Sequence, residues 1–567
     1  MKKSPMLFLF STFQFIKLLT ICFGTFTIAS STHVVDSSMN ISSSSIINER
    51  IREATSLLKW KSNLEMESQT LLSSWTGKNS CNWLGITCDE DYKFVSNINL
   101  TNMRLRGTLE TLNFSSLSNI FTLNLSNNFL NGSIPPDIGA SYKLYHLDLS
   151  NNDLVGTIPY EITKLTNLHI LYLDNNVFNG FIPKEIETLD LSNSDISIIG
   201  PILENLWKLE NLTYLSLSHC KVIGHIPFSI GKLAKLLYLN LANNQIYGHI
   251  PKEIGKLINM KHLRLNDNSL SGFIPHEIGM MRNLVEINLS NNSLSGKIPH
   301  TIGNLSKLQN LTIFTNHLTG PLPTEINMLF NLAYFFIFDN NFIGQLPHNI
   351  CIGGKLKYFA VLKNNFTGPV PMSLKNCSSI VRIRLEQNQL SGNITNYFGV
   401  YPNLYYMQLS GNKFYGHISP DWGKCRSLAI LNISGNNISG GIPPELGEAT
   451  NLYSLDLSSN YLTGKIPKEL GNLSSLSKLL ISNNRLSGNV PLEITSLKEL
   501  ETLNLAGNDL TGYVTKQLGY FPRLLNMNLS HNKFIGNIPV EFGQFKVIQS
   551  LDNTCTADIF RVIEYIT

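Results

Sequence analysis

The side chains of this chain best equipped to hold another molecule lie between Phe314 and Arg384. Arg382 and Arg384 flank Ile383 in the stretch I-V-R-I-R-L-E-Q-N. On an extended strand, residues two apart point to the same side. Two such guanidinium groups make a fork that can hold a carboxylate through charge-assisted hydrogen bonds. The alternative is a pair of solvated arginines beside Glu386, which would add little. Upstream lie Phe314, Tyr334, Phe336, Phe338, Tyr358 and Leu362, an apolar and aromatic set that suits a binding surface if it is exposed. A second, more polar group comprises Tyr238, His262, Arg264 and Asp267. Asp148, Asp190 and Asp456 are widely separated, and no Ser/His/Asp, metal-ligand or phosphate-loop spacing accompanies them. The pattern therefore speaks for binding and against catalysis.

What must position these residues is a unit of twenty-four residues, cleanest at Leu455–Pro467 (L-D-L-S-S-N-Y-L-T-G-K-I-P). Its Asn recurs at Asn128, Asn152 and Asn176, then from Asn244 through Asn268, Asn292, Asn316, Asn340, Asn364, Asn388, Asn412 and Asn436 to Asn460, Asn484, Asn508 and Asn532. A fixed period with L-x-x-L-x-L predicts a leucine-rich-repeat α/β solenoid of about nineteen units, with a parallel β-sheet on its concave face. The two leucines of L-x-L point inward from a short strand. The Asn closes the turn and bonds backbone groups of its own and the next unit. Positions six, four, two and one before each Asn are expected to face outward. That phase presents Phe314, then Tyr334, Phe336 and Phe338, then Tyr358 and Leu362, then Arg382 and Arg384; a locally shifted phase would instead turn some of the rings into core.

Two departures interrupt the period. Between Asn176 and Cys220 the interval is forty-four residues, not forty-eight, and L-D-L-S-N-S at Leu189–Ser194 follows directly on I-P-K-E-I. A kink or bulge is expected there, with Cys220 standing in for the ladder Asn. After Asp552 the pattern collapses, and Ile559, Val562, Ile563 and Ile566 have the spacing of a helix that could cover the last unit. A frayed, non-repeat tail is the alternative for residues 553–567.

The net charge of +4 over 567 residues leaves no basic footprint for nucleic acid. Lys2 and Lys3 before an apolar run and Ala29-Ser-Ser predict a signal peptide over residues 1–31, followed by a Ser-rich lead-in over 32–48. Residues 49–95 read as an N-terminal cap, with Ile51, Ala54, Leu57, Leu58 and Leu64 at helical spacing, and the repeats occupy 96–552. No later run of about 18 apolar residues offers a membrane span. Cys81 and Cys88 are close enough to bridge in a secreted chain and lack the partners of a zinc site, so no metal or cofactor is expected. Seventeen N-x-S/T sequons occur. Several, such as Asn124, Asn288, Asn432 and Asn528, arise because the repeat writes N-L-S or N-I-S; Asn113, Asn211, Asn304, Asn365, Asn376 and Asn472 are the candidate glycan acceptors.

The form G-x-I-P-x-x-I/L-G resembles the plant-specific leucine-rich repeat. A-T-S-L-L-K-W-K…L-L-S-S-W…C-N-W-L-G-I-T-C resembles the N-terminal cap of plant leucine-rich-repeat receptor-like kinases. F-T-G-P-V-P-M-S-L-K-N-C-S-S-I-V-R-I-R-L, followed by F-G-V-Y-P-N-L-Y-Y-M, is most similar to the male-discoverer-interacting receptor-like kinase group. Over residues 50–550 the resemblance implies the ectodomain of a cell-surface receptor that senses peptides, with a plasma-membrane span and a serine/threonine kinase that this sequence does not contain. It implies a pairing of Cys351 with Cys377, and it likens Arg382 and Arg384 to the Arg-x-Arg pair with which related receptors hold a peptide C-terminus. Cys425, at the same phase as Cys377, is left without a partner. The reading is thus a secreted, truncated ectodomain in the apoplast that recognises a peptide ligand, with a co-receptor ectodomain as a further partner. A soluble decoy, or an inhibitor of microbial wall-degrading enzymes, is the alternative.

Overall fold

The protein is described by a computed structural model over residues 43–89, 94–180, 186–193, 206–544 and 550–552. The expected signal peptide, most of the Ser-rich lead-in and the 553–567 tail lie outside these residues. From Thr122–Asn124 onward each described unit contributes one three-residue strand to a long sheet, as at His262–Arg264, Tyr334–Phe336 and Ser454–Asp456. In the last of these the middle residue, Leu455, and the leucine two further on, Leu457, are wholly buried. That alternation follows from the period-two geometry of a strand whose one face meets the core.

The strands line up into one sheet of twenty-one, in which all pairings but one are parallel. Register is kept unit to unit: Tyr334 pairs with Tyr358, Tyr358 with Arg382 and Arg382 with Tyr406. Opposite the sheet run short 3₁₀ turns entered from a proline, such as Lys468–Asn472 after Pro467. Pro suits this place because its fixed φ opens the turn and its missing N–H is not needed there.

The Asn column closes each unit. Asn436 donates to the carbonyls of Leu409, Ile433 and Ser434 at 3.1, 2.9 and 3.2 Å, and its Oδ1 accepts from the Phe414 N–H at 3.0 Å. One buried amide thus satisfies backbone groups of two units at once. Cys220 occupies the same place, with Sγ donating to the Leu191 carbonyl at 2.9 Å. The residue just before the ladder position is left-handed in unit after unit, from Asn127 (φ 55°) to Thr315 (φ 51°), Lys363 (φ 50°) and His531 (φ 54°). Asn, Asp and Gly adopt this conformation readily, and a β-branched Thr does so only under strain.

The anticipated kink between Asn176 and Cys220 does not appear in the long sheet. Thr188–Asp190 pairs residue for residue with Ile170–Tyr172 on one side and Tyr214–Ser216 on the other. Among the described residues, Val177–Gly180 belongs to an outer sheet of four strands and Ile223–Gly224 to one of fourteen. The three-residue strands of the long sheet keep their register whatever the length of the segment that returns behind them.

At the N-terminal end, α1 (Ser43–Ser62) and α2 (Met66–Leu71) precede β1 (Ile86–Cys88), which pairs antiparallel with β2 (Val95–Asn99). Ala54, Leu57 and Leu64 are buried, as their spacing predicts. Trp60, Trp75 and Trp83 pack with ring centroids 6.1 and 5.4 Å apart, and Cys81 is bonded to Cys88. Each indole N–H finds a carbonyl, of Thr108, Leu84 and Thr76 respectively. The cap therefore covers the first unit with aromatic area and leaves no indole donor unpaired.

Candidate ligand-binding face

The positions six and four before each ladder Asn point out of the long sheet, and their side chains are half-buried by their neighbours in the column. Tyr334 and Tyr358 stack with centroids 5.1 Å apart, and Phe336 meets Tyr358 edge-on at 6.2 Å. Phe338 stacks on Phe314 at 4.3 Å. Parallel in-register strands place like positions one strand spacing apart, which is near the distance at which rings stack.

Two members of the expected apolar set do not belong to the exposed surface. Leu362 retains 2% of its accessible surface and Phe314 retains 8%. Both lie two before the ladder Asn, where the chain is already turning and residues of adjacent units cover one another. Small residues fill this column elsewhere, as with buried Ser126, Ser150 and Ser482. The outward aromatic set is thus the half-buried Tyr334, Phe336, Phe338 and Tyr358, with Phe314 packed beneath Phe338.

Arg382 and Arg384 share one strand and one face, as expected, but they are not equivalent. The Arg382 guanidinium lies over the Tyr406 ring, 4.3 Å from its centroid, and its Nε is buried without a hydrogen-bond partner. Arg384 donates from Nε to Oε1 of Glu386 at 2.8 Å, and its Nη2 reaches the same oxygen. Glu386 is itself buried, and its Oε2 has no partner. Burial pushes its carboxyl above the usual range, with the charges of Arg384 and Arg382 working against the shift. The sequence names Glu386 only as a neighbour of solvated arginines, and it does not single out Tyr406, although Tyr406 stands six before Asn412 in the same column.

The second polar group satisfies itself. Arg264 donates from Nε and Nη2 to the two oxygens of Glu286, each at 2.8 Å, and from Nη1 to the Tyr238 hydroxyl at 3.2 Å. His262 Nδ1 is 3.0 Å from Glu286 Oε2. These contacts hold the Glu286 carboxyl below its ordinary range despite burial. Tyr238 stacks on Tyr214, whose hydroxyl donates to Asp190 at 3.2 Å. Asp267 accepts from the amides of Asn266 and Asn291. These side chains are spent on one another, unlike those around Arg382.

The widely spaced acids have structural partners. Asp148 and Asp456 each accept the N–H and hydroxyl of the serine two residues on, which closes the turn. Among the described residues no cluster of three or more His, Cys, Asp or Glu is placed to hold a metal ion. Cys351 is bonded to Cys377. Cys425 is buried, its thiol pushed up by burial, and its sulfur accepts the Tyr401 N–H at 3.4 Å. The side chains of Asn113, Asn211, Asn304, Asn365, Asn376 and Asn472 are all exposed.

A long parallel sheet built from one strand per twenty-four-residue unit, with its Asn ladder, defines a leucine-rich-repeat solenoid. Family models for a leucine-rich-repeat region match residues 189–320, for a leucine-rich-repeat N-terminal domain residues 51–89, and for single repeats six stretches from 119–141 to 523–545. The Arabidopsis receptor kinase HAESA, solved with the peptide hormone IDA and the co-receptor SERK1, is 32% identical with a TM-score of 0.72, over 88% of this chain and 92% of that one. The plant peptide hormone receptor RGFR1, solved with RGF2, is 29% identical with a TM-score of 0.61, over 84% and 91%. The chain belongs to the plant leucine-rich-repeat receptor-like kinases and corresponds to their ectodomain. Among curated relatives of Arabidopsis thaliana, MDIS1-interacting receptor like kinase 2 is 37% identical over 112 residues, 19% of this chain and 10% of that protein. A probable leucine-rich repeat receptor-like protein kinase is 40% identical over 96 residues, 16% of this chain and 8% of that protein. Among the described residues no helix is long and apolar enough to cross a membrane.

Proposed function

We propose that this ectodomain recognises an extended peptide on its long sheet, outside the cell, and that the peptide's free C-terminus is held at Arg382 and Arg384. The observation that carries the reading is the unbroken outward column Tyr334, Tyr358, Arg382, Tyr406, in register on four successive strands. Tyr334 and Tyr358 give apolar contact, and the guanidinium groups on the next strand, backed by Tyr406, give an anchor for a carboxylate. HAESA and RGFR1 were solved with peptide hormones, and HAESA also with a co-receptor. By that likeness the partners here are a secreted peptide and a second ectodomain. The exposed sequon residues, Asn113 through Asn472, are glycan acceptors on this reading.

The test is calorimetric titration of the secreted protein with a panel of synthetic peptides, each made with a free and an amidated C-terminus. Replacing both Arg382 and Arg384 by Ala is expected to cost about 2–5 kcal/mol of binding to the free-acid form. The substitution should scarcely change the weaker binding of the amide. Equal affinity of the wild-type and doubly substituted proteins for every peptide that binds would overturn the assignment.

A further inference from the structure

The two arginines of the proposed anchor differ in one respect that bears on selectivity. Arg384 is already engaged: two of its donors go to one oxygen of Glu386, a carboxylate whose residue is 4% exposed. Arg382 is engaged only through its face, on Tyr406, and keeps a buried Nε with no partner. A ligand carboxylate that comes to the fork meets Arg384 with its charge partly neutralised from within. A second carboxylate there would place two like charges about one guanidinium, which disfavours the ionised form of one of them.

We propose that Glu386 is an internal competitor for the ligand's carboxylate, so that closing the fork on a peptide C-terminus requires Glu386 to release Arg384 or to take up a proton from solvent. This rests on the reading of Arg382 and Arg384 as the anchor. It makes Glu386 a specificity-determining residue, because only a ligand that bears a charge at its end competes with it. Its other oxygen, Oε2, is buried and unpartnered, an arrangement a neutral carboxyl tolerates better than an ionised one. The charged groups facing it come from its own strand, Arg382 and Arg384. At the outward positions of the flanking units the titratable residues are Tyr358 and Lys363 before it and Tyr406 after it. Leu362 and Ser410, its neighbours in the column, carry no charge. A peptide C-terminus stays ionised well below neutrality, since its unperturbed pKa is about 3.5. Acidification therefore neutralises the competitor before the ligand, and binding draws in up to one proton.

Two measurements test this. In the first, the folded protein is labelled with phenylglyoxal at pH 8 and the sites are followed by peptide mass mapping. Glu386→Gln is expected to speed labelling of Arg384 several-fold, and Glu386→Ala to do the same. Arg264, held by Glu286, serves as the reference that must not change. An unaltered or slower rate at Arg384 in both variants overturns the proposal, whether or not any peptide binds. In the second, acetyl-Tyr-Phe-Gly with a free or amidated C-terminus is titrated between pH 7 and pH 5. The free acid should bind the wild type more tightly as pH falls, by up to about tenfold per unit, with the amide flat and Glu386→Gln flat for both. Weaker binding of the free acid to Glu386→Gln at pH 7 would overturn the proposal by making Glu386 a support for the fork. Absence of binding to any form, with faster labelling at Arg384, would sink the peptide reading and leave the competition for Arg384 standing.

Discussion

Glu53 illustrates what one buried side chain can do to the pH response of a large protein. It lies in α1 with 1% of its surface exposed; Oε2 accepts the Val95 N–H at 3.1 Å and Oε1 has no partner. Burial, aided by Glu49 and Asp89, raises its carboxyl to about 8. The unfolded chain gives up this proton near the ordinary glutamate value of about 4.3. Between the two values the folded cap binds more protons than the unfolded one, so its contribution to stability falls as pH rises, by at most about 1.4 kcal/mol per unit. Below the lower value the contribution is fully present. The Tm of the cap, followed by the fluorescence of Trp60, Trp75 and Trp83, should therefore drop from pH 5 to pH 8. Glu53→Gln should flatten that slope; an equal slope in the variant would show that other groups set it. None of this was legible in the sequence, where Glu53 is one charge among several in an amphipathic helix.

At the scale of the unit, the ladder Asn fixes strand, turn and neighbour together. Asn340 donates to the carbonyls of Ile313, Ile337 and Phe338, and its Oδ1 accepts the Leu318 N–H at 3.0 Å. Asn340→Ala leaves the Leu318 N–H without its partner and removes one of two donors from each carbonyl, since Ile313 keeps Asn316, Ile337 keeps Asn364 and Phe338 keeps the Thr315 N–H. The loss is expected at about 1–3 kcal/mol, the cost of one unsatisfied buried group, read as a lowered midpoint of chemical unfolding. A change under about 0.5 kcal/mol, the range of surface substitutions, would mean that water replaces the amide. The Asn column and the alternation of buried and outward residues were plain from the period, because a twenty-four-residue repeat fixes phase everywhere once it is fixed anywhere. The column two before the Asn was misjudged for Phe314 and Leu362. Strand alternation makes that position outward, but the chain is turning there and neighbouring units close over it. Arg382 and Arg384 were correctly placed on one face. What the sequence could not show is that Glu386, two residues beyond Arg384 at the turn, folds back onto it.

At the scale of the whole array, the long sheet runs on in register through the shortened repeat, with Thr188–Asp190 paired to Ile170–Tyr172 and to Tyr214–Ser216. Repeat arrays draw their cooperativity from interfaces between neighbours. Chemical unfolding is therefore expected to show one transition, with hydrogen exchange before Gly180 and from Asn244 onward opening together. Two transitions, with one side exchanging first, would show that the long sheet does not couple the two parts. The sequence locates the irregularity but points to a kink, because residue counts do not say whether a shorter return path disturbs the strands.

The sheet's spacing also sets a ruler for whatever lies across it. Adjacent strands are about 4.8 Å apart, whereas an extended peptide advances about 3.3 Å per residue. A chain crossing the strands therefore drifts against the units, with about three ligand residues to every two strands. From the row of Tyr334 to that of Arg382 is two strand steps, about 10 Å, or some three residues of an extended chain. A ligand whose last residue sits at the arginines would thus reach the tyrosines with its third or fourth residue from the end. Because successive side chains of an extended chain alternate in direction, only some of the intervening ones can face the sheet. Recognition over this stretch would depend on a few ligand positions at fixed distances from the terminus, with those between them free to vary.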